Sequence, residues 1–405
     1  MMNKRMFLAA GSLLLCASGL LIVAPAYAGT YRLVSTSPSP MATTNDEVTA
    51  LAYANHVVYA GGYFTRMYFK GHCYVRSHIG AVSSSTGKPT AFRPDINGAV
   101  RSLALSPDKK ILYVGGSFTR VNSVTRMNIA AFRTSTGRLT RFAPKVAGTV
   151  VAIAATSYRV YLGGTISQVN GRRRTEAAEV TTTGKLTAWA PVLDGWVRAL
   201  LISPDKTRIF LGGGFHHVNG ATYEGLGSVN PVTGTNEPFR NGLIPTYHDG
   251  RVSQATSLAT NGTWIFAGAE GTGTRAFDGT LAFRPDSGRL VWRNTCLGAT
   301  QTILYLRGVL YKGSHAHDCS SAGGFGPIRP HWQPHHLLAE NPINGELLSW
   351  GTSARSVPQP IPDTNGGVRS ELGPFAFATD GLHLFAGGDF TTVNTRRQEG
   401  LARFK

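Results

Sequence analysis

A phrase built around two adjacent glycines recurs along the chain and constrains the fold more than any other feature. Its clearest form is LYVGGSFTRVN at residues 112–122, where glycines interrupt a stretch with the composition of a buried strand. Glycine weakens a strand, so a repeated pair predicts that another backbone comes close at each copy. A β-bulge at each pair is the alternative interpretation. Seven copies are present: five keep both glycines, at Gly61, Gly115, Gly163, Gly212 and Gly387, and two are degraded, at Gly268 and Gly313.

The spacing of these copies indicates a propeller. Successive copies lie between 45 and 74 residues apart, and a propeller blade has roughly 40–50 residues. Turn signals divide each unit into four strands. The last unit stops before its own fourth strand, whereas AGTYRLVST at residues 28–36 aligns with the fourth strands of other units. We therefore predict an all-β, seven-bladed β-propeller of four-stranded antiparallel blades, with the N-terminal strand completing the last blade and closing the ring.

The first 28 residues have the pattern of a secretory signal peptide. Lys4 and Arg5 precede an apolar run from residue 7 to 23, and a small-residue cleavage site ends at Ala28. An uncleaved membrane anchor is the alternative, because the run approaches the ~18 apolar residues of a membrane span. We expect cleavage, secretion to the extracellular space or cell wall, a single propeller domain over residues 29–405, no later transmembrane segment, and a monomer.

The chain is strongly basic, which predicts attraction to polyanions. The formal net charge is +18, and loss of Lys4 and Arg5 with the signal peptide would lower it to +16. Outside a cell, the expected partners are an anionic polysaccharide, another cell-surface polymer or a protein. We find no nucleic-acid-binding motif in the sequence.

Two stretches resemble a known repeat. GGSFTRVNSVTRMNIAAF at residues 115–132 and GGDFTTVNTRRQEGLARF at 387–404 are similar to the delta-60 type repeats of secreted bacterial β-propellers, a family of unassigned function. The resemblance extends over nearly the whole mature chain. It implies a propeller fold and export, and it brings no catalytic residues.

Tryptophans near the ends of some units resemble a second repeat. VTTTGKLTAW at residues 180–189 and NPINGELLSW at 341–350 look like the tryptophan-docking repeats of pyrroloquinoline quinone enzymes. The vicinal Cys-Cys of those enzymes is absent from this sequence. We interpret Trp189, Trp292 and Trp350 as aromatics that pack between blades.

Extra residues and positive charge are concentrated in loops that the topology places on one face. The longest expansions lie at residues 315–336 and 351–370, with smaller ones at 240–250 and 65–78. Long loops on a rigid scaffold commonly carry binding sites, and a solvated arginine rim is the alternative. We predict binding through the following residues: Arg66, Arg120, Arg126, Arg172, Arg173, Arg174, Trp332, Arg396 and Arg397.

Histidines in the longest of these loops are candidate ligands of a divalent metal. His315 and His317 stand two apart, so their side chains would point the same way in an extended segment, and His331 lies in the same loop. Zinc and copper bind three or four such ligands. The spacing matches no established zinc signature, and histidines packed on Trp332 and Phe325 are the alternative.

Three cysteines follow the predicted signal peptide, which in an oxidising compartment suggests one disulfide and one free thiol. Cys296 and Cys319 fall on the same face of one unit. We predict a disulfide between them that stabilises the fold by ~3 kcal/mol. Cys73 would then be free, and a Cys73–Cys319 pair is the alternative.

These features predict a binding module without turnover, for an anionic polymer or surface partner. The nucleophile elbow Gly-x-Ser-x-Gly, the zinc motif His-Glu-x-x-His and phosphate-binding glycine loops are absent from the sequence. One alternative is a metal-assisted hydrolase or lyase that uses the His-rich loop 315–336. Another is a structural component of the cell envelope. No cofactor is expected beyond this possible metal.

Overall fold

The structure, a computed structural model, leaves the predicted signal peptide, His331, Trp332 and the expansion at 351–370 outside the described residues. The described residues are 31–245, 253–271, 277–327, 335–350, 373–394 and 396–405. Within these ranges, no helix has both the length and the apolar character needed to cross a bilayer.

Seven antiparallel sheets, numbered 1–7 in chain order, each contain one copy of the repeated phrase in their middle strand, with both glycines in sheets 1–4 and 7 and a degraded copy in sheets 5 and 6. The first strands are Val48–Ala54, Val100–Leu105, Val150–Ala155, Val197–Ile202, Ser253–Thr260, Thr300–Leu306 and Pro374–Thr379. The second strands are Val57–Gly62, Ile111–Gly116, Arg159–Gly164, Ile209–Gly213, Ile265–Gly271, Val309–Ala316 and Leu384–Gly388. The third strands are Ile79–Ser83, Ile129–Arg133, Ala177–Thr181, Leu226–Val229, Gly279–Phe283, His335–Glu340 and Leu401–Phe404.

The fourth position of each sheet is less regular. Sheet 5 has a full fourth strand, Leu290–Thr295. Single bridges mark this position in five other sheets: Val82 with Pro89, Phe132 with Leu139, Val180 with Leu186, Val229 with Asn236, and Glu340 with Leu347. In sheet 7, Ser39 from the N-terminal segment bridges to Arg403, and its amide donates to the Arg403 carbonyl at 2.8 Å. The amide of Ser35 donates to the carbonyl of Lys405.

The apolar core lies in layers between consecutive sheets. The first strands pack against one another in chain order, and the first strand of sheet 7 also packs against that of sheet 1. The phenylalanine of the repeated phrase is almost fully buried in these layers, as at Phe64, Phe118, Phe215 and Phe390. Truncating such a side chain to alanine typically destabilises a fold by about 3–5 kcal/mol.

Where the phrase keeps both glycines, the two meet different neighbours. A Cβ atom at Gly61 would overlap the side chain of Val100 in sheet 2, and one at Gly387 would overlap Val48 in sheet 1. The first glycine therefore lets the next sheet approach. A Cβ atom at the second glycine, Gly62, would overlap the Glu47 carbonyl at a bulge in its own sheet. Both interpretations of the pair are correct, one for each glycine.

The three tryptophans identified in the sequence join neighbouring sheets. Each indole N–H donates to a backbone carbonyl: Trp189 to Asn230 (2.9 Å), Trp292 to Pro342 (2.8 Å) and Trp350 to Val34 (2.9 Å). In this arrangement the apolar ring is buried between sheets, and its N–H group is satisfied by the hydrogen bond. Their interpretation as packing aromatics is confirmed.

Candidate functional site

Short hairpins follow the Gly-Gly strands of sheets 1, 2, 3, 4 and 7. Their paired strands are Arg66–Phe69 with His72–Val75, Arg120–Val121 with Val124–Thr125, Gln168–Val169 with Arg172–Arg173, His217–Val218 with Ala221–Thr222, and Thr392–Val393 with Arg396–Arg397. Residues of the crossovers pair with these hairpins, as strand Thr43–Thr44 does in sheet 1 and Val146–Ala147 in sheet 3. Hairpins and crossovers therefore share one end of the sheets, which we call the motif face.

The asparagine of the repeated phrase shapes these hairpins. Asn122, Asn170 and Asn219 have φ angles of 50°, 50° and 51°, in the left-handed region that asparagine tolerates better than most residues. The side-chain oxygen of Asn122 accepts a hydrogen bond at 2.8 Å from the amide of Asp95 in the crossover, and the other two asparagines repeat this contact. The Val-Asn part of the phrase is therefore structural.

Two of the predicted binding arginines, Arg126 and Arg174, are engaged with the backbone. Arg126 donates from Nη2 to the carbonyl of Thr140 at 2.8 Å, and Arg174 donates to that of Thr187 at 2.7 Å. Burial lowers the pKa of both guanidinium groups. These contacts fasten each hairpin to the outer edge of its own sheet, so both side chains support the scaffold and are poorly placed to bind a ligand.

The other six predicted arginines are exposed on the hairpins: Arg66, Arg120, Arg172, Arg173, Arg396 and Arg397. Arg397 lies 2.8 Å from the carboxylate of Glu399, and none of the other five pairs with a carboxylate of the described ranges. Trp332 lies outside those ranges. The structure thus leaves a set of solvated cations on the motif face.

Charge alone does not distinguish this face from the opposite one. In sheet 4 the hairpin presents His216 and His217, which pair with Glu224 at 2.8 Å and Asp194 at 2.6 Å and interrupt the basic rim. At the opposite end, exposed basic residues directly follow four of the turn glycines: Lys88, Arg138, Lys185 and Arg289. A binding site must therefore be identified by geometry as well as by charge.

The predicted metal ligand His315 is half-buried at the end of the second strand of sheet 6. Burial lowers the pKa of His315, and the nearby Asp278 carboxylate opposes this shift. Burial also raises the pKa of Asp278, although the amide of Gly271 donates to its carboxylate at 2.7 Å. The structure assembles no group of three metal-binding side chains from the residues it describes. Because His331 is not among them, the metal site stays a prediction.

Cys296 and Cys319 form a disulfide, as expected from their positions. The bond links the crossover into sheet 6 to the loop that follows the second strand of that sheet. A 3-10 turn, Ser320–Ala322, comes directly after Cys319. The thiol of Cys73 is free and exposed.

A β-bulge near the start of every first strand creates a cavity at the motif face. In sheet 2, for example, the register shifts between Val100 and Ser102, so that Arg101 lies outside the ladder. The residues in this position line one cavity of about 280 Å³, which we call the mouth: Thr49, Arg101, Val151, Arg198, Thr256, Gln301 and Phe375. Glu47 and Trp196 complete the lining. All seven sheets therefore contribute to one small site.

A second cavity, of about 430 Å³, continues from the mouth between the first strands. Arg198 and Phe375 line both cavities, and the deeper walls include the apolar side chains of Leu103, Ile153 and Leu200. Hydroxyl side chains such as Ser102, Ser257 and Thr302 line the same walls, so the deeper cavity has both polar and apolar surface.

Sheets 4, 5 and 6 are joined at the mouth by a polar network around Glu270. Arg198 donates to the Glu270 carboxylate from Nη1 and to Gln301 from Nη2 at 2.8 Å. Glu270 also accepts from Gln254 at 2.9 Å and from Gln301 at 2.8 Å. The carboxylate of Glu270 neutralises the charge of Arg198. The hydrogen bonds of the network join the three sheets and so hold the wall of the mouth in place.

Arg101 differs from Arg198 in having an exposed guanidinium group. Its guanidinium carbon lies 4.6 Å from the centre of the Tyr63 ring, a cation–π contact that limits its freedom. In the described part of the chain, no carboxylate lies within ion-pair distance of Arg101. The mouth therefore presents one oriented cation that is available to a ligand.

The mouth residues were missed in the sequence, although a signal for them exists. The first strands of sheets 1–4 share a triplet, VTA, VRS, VVA and VRA, in which the outer positions are similar and the middle one varies. Packing between sheets restricts the residue types at the outer positions, since the side chain of Val100 contacts Gly61 of the preceding sheet. The middle residue faces the cavity, so its variation among otherwise similar repeats indicates a surface not needed for packing.

Comparisons with known proteins agree with this architecture. Residues 106–133, from the turn before the second strand of sheet 2 to the end of its third strand, match the model of a β-propeller domain of unknown function, DUF5122. The fold is a β-propeller. A chain in a crystal structure of the mitotic checkpoint complex superposes on this propeller with a TM-score of 0.54 at 12% identity, covering 100% of this chain and 99% of that one.

Two further comparisons add no functional information. The computationally designed Ika8 protein gives a TM-score of 0.49 at 14% identity, over 90% of this propeller and 98% of that chain. No curated protein matches the sequence.

Proposed function

We propose that the seven sheets are the blades of a closed ring around the mouth, with the N-terminal segment as the outer strand of sheet 7. The hydrogen bond from Ser39 to Arg403 and the packing of the first strands of sheets 7 and 1 support this closure. We also propose that the protein is exported after removal of residues 1–28, on the strength of their signal-peptide pattern.

We propose further that the propeller is a binding module for an anionic polysaccharide, which lies across the motif face and is not turned over. The observation that carries this proposal is the exposed, oriented guanidinium group of Arg101 at the mouth. Exposed arginines on the hairpins of sheets 1, 2, 3 and 7 lie on the same face. The opposite end has comparable charge, so the variants described below compare the two ends directly.

A polymer suits this arrangement better than a small anion. Each exposed arginine contributes only about 0.2–1 kcal/mol to an ion pair. Hairpins of four sheets carry these arginines, so a single chain with repeated charges can contact several of them at once. Linked contacts of this kind raise the overall affinity well above that of each one.

The test compares polygalacturonate with uncharged dextran in a binding assay at several salt concentrations. We expect polygalacturonate to bind and its affinity to fall steeply between about 0.01 and 0.15 M salt, since the Debye length shrinks from ~30 to ~8 Å. Dextran should not bind. Equal binding of both polymers, or binding that is insensitive to salt, contradicts the proposal.

A matched pair of variants locates the binding face. R66Q/R120Q/R172Q/R173Q removes four charges from the hairpins, and K88Q/R138Q/K185Q/R289Q removes four from the opposite turns. We expect the first variant to weaken polygalacturonate binding at least about tenfold and the second less than about threefold. Equal losses would mean that overall charge, and not this face, attracts the polymer.

A further inference from the structure

The mouth has the features of a recognition site for a single sugar ring. We infer that it binds one carboxylate-bearing ring, a uronate, of the polysaccharide that the proposed function assigns to the motif face. The inference rests on that proposed function and specifies which part of the ligand is recognised. It follows from the charge, the aromatic groups and the size of the mouth.

Arg101 supplies the group that would bind the carboxylate. A guanidinium fork matches the two oxygens of a carboxylate, and such charge-assisted pairs are among the stronger hydrogen bonds in proteins. The contact with Tyr63 at 4.6 Å orients the fork before the ligand arrives. Arg198 cannot serve in the same way because its donors are already bonded to Glu270 and Gln301.

The two glutamates near the mouth limit the charge that a ligand can carry. Glu270 is matched by Arg198, and Glu47, which has interactions of its own, lines the mouth together with Arg101. Carboxylates in the lining repel further negative charge. With Arg101 as its oriented cation, the mouth therefore fits one negative charge, and a multiply charged anion such as phosphate fits it poorly.

Aromatic groups and volume favour a ring. Trp196 and Phe375 line the cavity, and the Arg198 guanidinium carbon lies 5.5 Å from the Trp196 ring. Flat apolar surfaces suit the C–H face of a sugar, whose burial is favourable. The volume of about 280 Å³ lies just below the ~300–1,000 Å³ typical of pockets for drug-sized ligands. One sugar ring is of suitable size, whereas a folded-back chain is not.

The experiment measures binding of free D-galacturonate, D-galactose and inorganic phosphate by isothermal titration calorimetry. We expect galacturonate to bind at least about tenfold more tightly than galactose, which lacks the charge. Phosphate should not compete with galacturonate. Absence of galacturonate binding, or its displacement by phosphate, overturns the inference.

Variants at the mouth and on the rim separate the two proposals. R101Q should weaken galacturonate binding at least about tenfold, and R101K should lose less because it keeps the charge without the fork. R120Q on the rim should leave monomer binding within about twofold, since it lies outside the mouth. Arg101 is exposed, so R101Q should fold normally, which circular dichroism checks.

Each proposal can fail separately. An R101Q protein that binds galacturonate as the parent does overturns the uronate site, even if the fourfold hairpin variant has lost polygalacturonate. A fourfold hairpin variant that keeps polygalacturonate overturns binding across the rim, even if R101Q has lost the monomer.

Discussion

Sheets 2 and 6 have equivalent sets of three paired strands, but different side-chain interactions stabilise them. In sheet 2 the second and third strands bury Val114 and Phe132 against neighbouring sheets. Sheet 6 has Lys312 and Glu340 at the equivalent register positions, and both side chains are fully buried. Sheet 6, whose copy of the repeated phrase is degraded, thus has an ion pair where sheet 2 has apolar contacts.

The replacement extends to the surroundings of sheet 6. Lys312 Nζ lies 3.5 Å from Glu340 Oε1, which also accepts hydrogen bonds from Thr280 and Asn294 of sheet 5 at 3.2 and 3.1 Å. Burial lowers the pKa of Lys312, and Glu340 opposes this shift. Sheet 2 fastens its hairpin through Arg126, whereas the loop of sheet 6 is tied by the disulfide. The comparison teaches that a common backbone can be stabilised either by a repeated local phrase or by specific side-chain partners.

The largest expected effect comes from breaking the buried pair of sheet 6. Glu340→Leu leaves the Lys312 ammonium buried without its carboxylate and should lower the free energy of unfolding by about 3–5 kcal/mol. The double variant K312M/E340L should recover most of this loss, because two apolar groups restore the condition of sheet 2. Urea denaturation measures both. A Glu340→Leu protein within about 1 kcal/mol of the parent means that the pair is not the main support of this sheet.

The disulfide should have the next largest effect. Its cysteines are 23 residues apart, and removing such a loop constraint from the unfolded chain typically costs about 3 kcal/mol. We expect C296S/C319S to lose about this amount in the same assay, with faster amide exchange in the loop after the second strand of sheet 6. C73S is the control and should be unchanged. Equal stability of the two variants contradicts a supporting role for the bond.

In sheet 2, Arg126→Ala should destabilise by about 1.5–2 kcal/mol, because two backbone carbonyls lose a charged donor. Arg120→Ala in the same hairpin removes an exposed side chain and should change stability by less than about 0.5 kcal/mol. Thermal unfolding compares the two. If they behave alike, the hairpin does not depend on the contact with the outer edge of the sheet.

The smallest expected effect concerns pH and His315 in sheet 6. Because the folded pKa of His315 is lowered, the unfolded chain takes up a proton there more readily than the folded protein. The stability associated with neutral His315 is complete above the unfolded pKa of about 6.5 and is lost as pH falls towards the folded pKa. Asp278, Glu270 and His317 are the other charged or titratable groups that act on it.

His315→Gln should therefore flatten the decline in stability between about pH 7 and 5. The raised pKa of Asp278 acts in the opposite direction, with stability lost as pH rises from about 3.8 towards its folded pKa. Urea unfolding across this range measures the slope. An unchanged slope in His315→Gln would assign the pH dependence to other groups.

The sequence predicted those features that depend on repetition or on residue type. Seven copies of the repeated phrase, two of them degraded, implied seven similar units, and close approach at Gly61 follows from the missing side chain. The indole of Trp350 is typical of packing between sheets, and Cys296 and Cys319 were assigned to one face by counting strands. In each case the physical cause lies in the residue itself or in its periodic position.

The features that were missed depend on geometry that local sequence does not encode. Each bulge adds a residue to one strand and breaks the alternation from which the direction of a side chain is read, so Arg101 could not be placed at a cavity. Arg126 looked like a surface cation because its carbonyl partner lies 14 residues further along. The buried pair of Lys312 and Glu340 was not predicted, because Glu340 lies on a different strand, beyond a long loop.

The bulged triplets have a consequence for diversification of this scaffold. Their outer residues pack against neighbouring sheets, and the middle residues line the cavity. Four of the middle residues also hydrogen-bond to an adjacent sheet: Thr49, Arg198, Thr256 and Gln301. Exchange at the remaining positions, Arg101, Val151 and Phe375, leaves these hydrogen bonds in place, so ligand preference can change there without loss of the contacts between sheets. A combinatorial library confined to such positions would vary the shape and chemistry of the opening, while the contacts between sheets stay the same.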